Sequence, residues 1–177
     1  MVKKNLFPLV SLNFFTKNRD NLKKIVLVGG AFDIVHIGHV NHLKKAKSMG
    51  DTLVVHITSD KRVREKKGPG RPIFSVRQRA LLVSSIRFVD YVFIYNGRHY
   101  DPQVIKKIRP DIIFFNREAY SGEIGEEVKK IEGFNGRVVV SREKKMNSTT
   151  KIVETIKNGN GETPHLETNH DKENFKN

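Results

Sequence analysis

Two histidines, His36 and His39, stand either side of Ile37-Gly38, directly after a turn that follows an apolar run. Imidazoles delivered to such a turn can hydrogen-bond a phosphate and stabilise the charge that builds on it during transfer. The run is Ile25-Val26-Leu27-Val28, closed by Gly29-Gly30, and an apolar run bounded by glycines reads as a buried parallel strand. After the histidines the chain turns helix-like over Val40–Lys47. Strand, glycine-bearing turn and helix N-terminus together make an anion site, because free backbone N–H groups and the helix dipole converge on one spot. The same H-x-x-H spacing occurs in metal sites and on plain surfaces. Two imidazoles supply only two ligands, however, and the chain has no cysteine to complete a set.

Far along the chain, Ser148-Thr149-Thr150 opens the last helix-like segment. One hydroxyl suffices for a helix cap. Three in succession can also donate to phosphate oxygens while the free N–H groups of the first turn cradle them.

Elements able to bring these segments together are legible between them. Strand candidates are Ile25–Val28, Thr52–Ile57, Tyr91–Tyr95, Asp111–Phe115 and Arg137–Val140. Helix candidates begin near Gly38, Ser75, Asp101 and Glu123, and a last one runs from Ser148 to about Lys157. The alternation predicts βαβ units and a parallel sheet. Ser75 caps its helix, with Val76, Leu81, Leu82 and Ile86 expected along the apolar face. Asp101-Pro102 reads as N-cap and first turn, and Arg109-Pro110 closes that helix. Residues 61–72 read as a basic, glycine-rich loop without apolar periodicity.

A chain of 177 residues suits one domain with tails. Residues 1–23 mix lysines with Leu6-Phe7-Pro8-Leu9-Val10 and Phe14-Phe15. Pro8, Asn13 and the lack of a small-residue cleavage site favour an N-terminal packing arm over a signal peptide. Residues 24–157 form the expected domain, and residues 158–177 a polar, disordered tail. No segment approaches the ~20 apolar residues of a membrane span. The absence of cysteine excludes disulfides and thiol catalysis and fits a cytoplasmic protein. Net charge is +14, of which the core carries +11. That excess suits an anionic ligand, a nucleotide or a nucleic acid. Against nucleic acid stands the lack of a recognised DNA- or RNA-binding motif or of a basic stretch interleaved with aromatics.

Order and spacing of these motifs resemble the cytidylyltransferase-like family of nucleotidyltransferases, over about residues 24–157. The matching stretches include Phe32-Asp33-Ile34-x-His36-x-Gly38-His39, Met49-Gly50-Asp51, Ser59-Asp60, Lys67-Gly68-x-x-Arg71-Pro72, Gln78-Arg79, Val89-Asp90, Arg109-Pro110-Asp111 and Ser148-Thr149-Thr150-x-Ile152. Within the family the chain most resembles the heptose 1-phosphate adenylyltransferase domain of ADP-heptose synthesis, then glycerol-3-phosphate cytidylyltransferase. The resemblance implies a Rossmann-like, doubly wound parallel sheet of five strands with helices on both faces. It also implies attack of a substrate phosphate on the α-phosphorus of ATP or CTP, with pyrophosphate leaving and Mg²⁺ on the triphosphate.

By the same resemblance His36 and His39 contact the α-phosphate and leaving oxygen, and Lys67 and Arg71 grip the triphosphate and the incoming phosphate. Arg79 reaches phosphate from its helix, and Ser148, Thr149 and Thr150 hold the β and γ phosphates. Gly30, Ala31 and Phe32 supply the turn, Lys44 is a nucleotide-side candidate, and Asp60 closes a loop near the nucleotide. Asp33 is expected to brace the turn rather than bind metal, and His42 and His56 to be structural. Relatives commonly dimerise, so a homodimer is kept open.

Three departures bear on substrate. Phe115-Asn116-Arg117-Glu118 stands where the heptose enzymes carry Lys-Gly-Gly-Asp. Arg142-Glu143-Lys144-Lys145-Met146 replaces the Arg-Thr-Glu-Gly of the glycerol-phosphate enzymes. Ala31 removes a hydroxyl or thiol common in the family. The reading favours ATP and a sugar phosphate. CTP with a polyol phosphate, FAD synthesis of the archaeal type, and nucleic-acid binding are its alternatives. His-Ile-Gly-His also occurs in class I aminoacyl-tRNA synthetases, whose anticodon domain has no room here.

Overall fold

β-Branched and aromatic runs form the expected strands: β1 Ile25–Gly30, β2 Thr52–Thr58, β3 Tyr91–Tyr95, β4 Ile112–Phe115 and β5 Arg137–Val140. In the computed structural model, which describes residues 8–142 and 149–157, they make one parallel sheet in the order β3-β2-β1-β4-β5. Helices alternate with them: α1 Leu12–Asn18, α2 Ile37–Lys47, α3 Asp60–Lys67, α4 Val76–Ser84, α5 Pro102–Ile108, α6 Gly122–Lys129 and α7 Thr149–Lys157.

Side chains alternate across each strand, so each feeds two cores. Val26, Val28, Val55, Ile57, Ile112 and Phe114 pack with Leu43 and Ala46 of α2 and Ala80 and Val83 of α4. Ile25, Leu27, Val54, Phe93, Ile113 and Phe115 pack with Phe15 of α1, Val104, Ile105 and Ile108 of α5, and Val128 of α6. Helices therefore cover both faces. This is the doubly wound arrangement, with the strand order reversing between β1 and β4.

At that reversal the sheet is stitched at its amino end and open at the other. Asp111 accepts from Ile25 N at 2.7 Å and from Arg19 Nη2 at 3.0 Å. β1 pairs with β2 from Ile25↔Thr52 to Gly30↔Ile57, but with β4 only at Val26↔Ile112 and Leu27↔Ile113. Beyond Leu27 the two strands part, and a crevice opens at their carboxyl ends.

Described residues of the N-terminal arm lie on the chain's own sheet. Val10 N donates to Val92 O and Val92 N to Pro8 O, each at 2.8 Å. Phe15 is fully buried against Tyr91 and Phe93. The arm thereby covers the β3 edge, which would otherwise present unpaired backbone. The expected tail, residues 158–177, lies outside the described residues, as does Ser148.

Three local expectations are corrected. Residues 61–72 are not all loop: α3 occupies Asp60–Lys67, capped by Ser59 Oγ accepting from Arg62 N. Val63 is its one buried residue, so periodicity had nothing to register. On α4 the buried face is Arg79, Ala80, Val83 and Ser84, while Leu81 and Leu82 are about half exposed. An arginine at the centre of the buried face hid its true phase. Asp101 occupies the N-cap of α5 but makes no capping bond, because its carboxylate accepts from Arg98 N and Nε.

Candidate active site

A cleft of about 490 Å³ occupies the crevice at the carboxyl edge, the place where open parallel sheets take ligands. Its centre is the turn after β1, with Gly29, Gly30, Ala31, Phe32, His36, Gly38 and His39 all lining it. One flank comes from β2, α3 and the loop after β3: His56, Thr58, Arg62, Lys66, Lys67, His99 and Tyr100. The other comes from the loops after β4 and β5 and from α7: Asn116, Arg117, Glu118, Ser141, Thr149 and Thr150. The two motifs separated by over a hundred residues thus share one cavity.

The paired histidines are arranged by the helix they begin. His36 is the N-cap of α2, and its backbone N–H donates to His39 Nδ1 at 3.3 Å. An accepting Nδ1 makes Nε2 the protonated nitrogen of a neutral ring, so His39 is a hydrogen-bond donor there. The two rings stack with centroids 3.8 Å apart. Across the cleft, Thr149 at the start of α7 is buried, and its hydroxyl donates to Ile34 O at 3.4 Å, which docks the helix N-terminus on the β1 turn.

Asp33 braces the turn as expected. Fully enclosed, it accepts from Ile73 N at 2.7 Å and Phe74 N at 3.1 Å and pairs with Arg71 Nη2 at 2.5 Å. Arg71 is accordingly held behind the turn and is not among the cleft-lining residues. Arg79 departs furthest from its expected role. Its guanidinium is entirely buried and donates to the carbonyls of Ala31, Thr58 and Phe74 and to Asp60. It acts as a latch between the turns after β1 and β2. A trans peptide points its C=O and N–H in opposite directions, so the bond to Ala31 O turns Phe32 N–H away from Arg79. Phe32 itself sits at φ 48, a left-handed conformation unusual for an aromatic residue. Asp60 is tied to Arg79, and Lys44 is exposed on α2; neither lines the cleft.

On the flank beyond β2, sequence reasoning singled out Lys67, which lines the cleft, and missed Arg62, Lys66 and His99. Ser59 as a cap was the available signal for α3, which turns Arg62 and Lys66 towards the cavity. No local signal marked His99. Its ring lies where a Cβ on Gly29 would stand, 2.3 Å from Cγ, so only glycine at 29 admits it. His99 packs on Tyr100 and Phe115 with centroids at 5.1 and 4.9 Å. His56 donates from Nε2 to Tyr95 O at 3.0 Å.

Burial lowers the pKa of His42 and His56 to about 4. For His56 the Tyr95 carbonyl and Asp101 oppose that, while Arg62 and Arg79 add to it. Burial, then the neighbouring His56, Lys66 and His42, holds His99 well below the ordinary imidazole value. All three are therefore neutral near pH 7. His42 stacks on Phe114 at 4.6 Å.

Among the described residues no helix is long and apolar enough to cross a membrane. The chain is 35% identical over 158 residues to the bifunctional protein HldE of Desulfatibacillum aliphaticivorans, covering 88% of this chain and 32% of that protein. To HldE of Helicobacter pylori strain J99 it is 38% identical over 142 residues, covering 77% and 28%. It thus spans about a third of the length of these relatives. The lipopolysaccharide core biosynthesis protein from Thermoplasma volcanium GSS1 superposes with a TM-score of 0.60 at 29% identity, covering 69% of this chain and 98% of that one. A model of the cytidylyltransferase-like family matches residues 27–163, and the chain belongs to that family.

Proposed function

We propose that this protein is a nucleotidyltransferase that moves AMP from ATP to the phosphate of a small sugar phosphate and releases pyrophosphate. One observation carries the reading: the His36/His39 turn and the N-terminus of α7 open onto the same cleft at the point where the strand order reverses. Sequence similarity to HldE proteins over most of this chain supports a sugar phosphate as acceptor.

In this reading the acceptor phosphate attacks the α-phosphorus directly, and the protein's work is positioning and charge stabilisation. His39, protonated at Nε2, and His36 beside it donate to the α-phosphate and the leaving oxygen as negative charge grows there. Gly30, Ala31 and Phe32 form the backbone turn against the phosphates, with the Phe32 N–H orientation set by the latch at Arg79. Thr149 and Thr150, with Ser148 before them, hold the β and γ phosphates at a helix N-terminus. Lys67, at the end of α3, neutralises the triphosphate from the opposite flank.

Magnesium enters as part of the MgATP substrate. Among the described residues no three His, Asp or Glu side chains converge on one point; Asp33 and Asp60 are committed to Arg71 and Arg79. In this reading phosphate oxygens and water would supply most of the magnesium's ligands.

The test is pyrophosphate release with ATP, CTP, GTP and UTP against a panel of sugar, polyol and flavin phosphates. ATP with a sugar 1-phosphate should be turned over fastest. Preference for CTP with a polyol phosphate, or for ATP with FMN, would replace the substrate assignment. Salt-sensitive DNA retention without pyrophosphate release from any triphosphate would overturn the enzymatic reading.

A further inference from the structure

We propose that His56 and His99 together bind a hydroxyl group of the acceptor's sugar and so help decide which acceptors are turned over. The inference rests on the transferase reading above and adds to it a contact with the uncharged part of the acceptor.

His56 on β2 stands beside Gly29 on β1 in the sheet register, and the His99 ring lies over Gly29 in the space a side chain there would take. The two imidazoles are therefore neighbours at the carboxyl edge, with centroids 6.3 Å apart and planes 25° from parallel. Both line the cleft. His56 is 1% exposed and His99 half-buried. Each keeps one enclosed nitrogen without a partner among the described residues, Nδ1 of His56 and Nε2 of His99. An enclosed polar atom without a partner is costly, and an aliphatic residue at position 56 would avoid that cost.

The hydrogen bonding of His56 states what kind of group it takes. Its Nε2 meets Tyr95 O at 3.0 Å. A carbonyl only accepts, so Nε2 carries the proton, and Nδ1 of the neutral ring is an acceptor. Burial keeps that ring neutral near pH 7. A phosphate monoester dianion offers acceptors only and cannot satisfy Nδ1. A sugar hydroxyl donates to His56 Nδ1 and accepts from a protonated His99 Nε2 at the same time. Two hydrogen bonds of about 2.8 Å to one oxygen span the gap between the rings. His56 is anchored by Tyr95 O, whereas His99 is positioned by packing on Tyr100 and Phe115, with no hydrogen bond at Nε2. His99 is therefore the ring that turns to admit the oxygen. Gly29 immediately precedes the turn bearing His36 and His39, so a sugar anchored here keeps its phosphate beside the reacting histidines.

His56→Leu, His99→Phe and the conservative His56→Gln test this in pyrophosphate release with MgATP, a sugar 1-phosphate and its singly deoxygenated analogues. The wild-type chain should lose about 30-fold in kcat/KM on one of the deoxy analogues. His56→Leu and His99→Phe should lose a similar factor on the parent sugar and treat the two within about twofold, with ATP KM altered by no more than about twofold. His56→Gln, whose Oε1 accepts in place of Nδ1, should recover part of the discrimination. Wild-type indifference to every deoxygenation, or variants that discriminate as the wild type does, would overturn the assignment. A second arm needs neither turnover nor a variant. In the full wild-type chain at constant pH, at least one of the 1-phosphates of glucose, mannose and ribose should shift the ring NMR signals of His56 and His99, and inorganic phosphate should not. Equal shifts from inorganic phosphate, or none from any sugar phosphate, would refute the hydroxyl contact. If no acceptor is turned over at all, the reaction reading falls, and this arm alone decides the site.

Discussion

The turn after β1 and the segment after β2 both leave the same edge of the sheet and return as helices, yet different kinds of contact hold them. In the first, His36 N donates to His39 Nδ1 and His39 N to His36 O, bonds that span three residues. In the second, Arg79 reaches back to Phe74, Asp60, Thr58 and Ala31, and Asp33 reaches forward to Ile73 and Phe74. The phosphate-facing turn shapes its own side chains but not its own backbone direction. That direction is imposed from β2 and α4, through a cation with no contact with the cleft. A site can thus be local in its chemistry and non-local in its support.

Breaking the latch should have the largest effect. Arg79→Ala leaves three buried carbonyls and Asp60 without their donor, and should cost about 3–5 kcal/mol in denaturant unfolding. A loss below about 1 kcal/mol would show that the β1 turn holds itself. His36→Ala and His39→Ala should do the reverse. Stability changes little, while turnover falls by about 10²–10³-fold, ~3–4 kcal/mol for a transition-state donor, with much less loss of triphosphate binding. Equal losses in binding and turnover would make the histidines ground-state ligands only.

Acid sharpens the contrast, because β2 carries a buried histidine. The unfolded chain protonates His56 near 6.5, the folded protein only at about 4. As pH falls below about 6.5 the unfolded state gains the proton first, so stability declines by up to ~1.4 kcal/mol per pH unit for this group and levels off below about 4. Unfolding free energies measured from pH 7 to 5 should slope accordingly, less steeply in His56→Gln; identical slopes would place that proton elsewhere. The smallest effect belongs to the face of α4 that looked apolar. Leu81→Gln and Leu82→Gln should change stability by no more than about 0.5 kcal/mol, whereas Val83→Ala should cost about 2 kcal/mol. Comparable costs would mean that another surface covers Leu81 and Leu82.

Strands were legible because β1 to β5 are short apolar runs between turn residues, and burial on both faces leaves little freedom in reading such runs. α3 was not, because its single buried residue, Val63, creates no period. α4 was seen but rotated, because burying Arg79 contradicts the rule that charge faces water. The exception is paid for by three carbonyls and a carboxylate that no short window contains.

The sequence by itself determined the elements, the His36/His39 turn, the hydroxyl start of α7 and the family these imply, since each depends on residues close together along the chain. Tertiary structure alone decided that Arg79, Arg71 and Asp60 support the cleft rather than line it, that His99 fills the space Gly29 leaves, and that Arg62 and Lys66 face the cavity. Those outcomes depend on which distant backbone and side-chain groups arrive at the same place, a property of strand order and packing rather than of any local pattern.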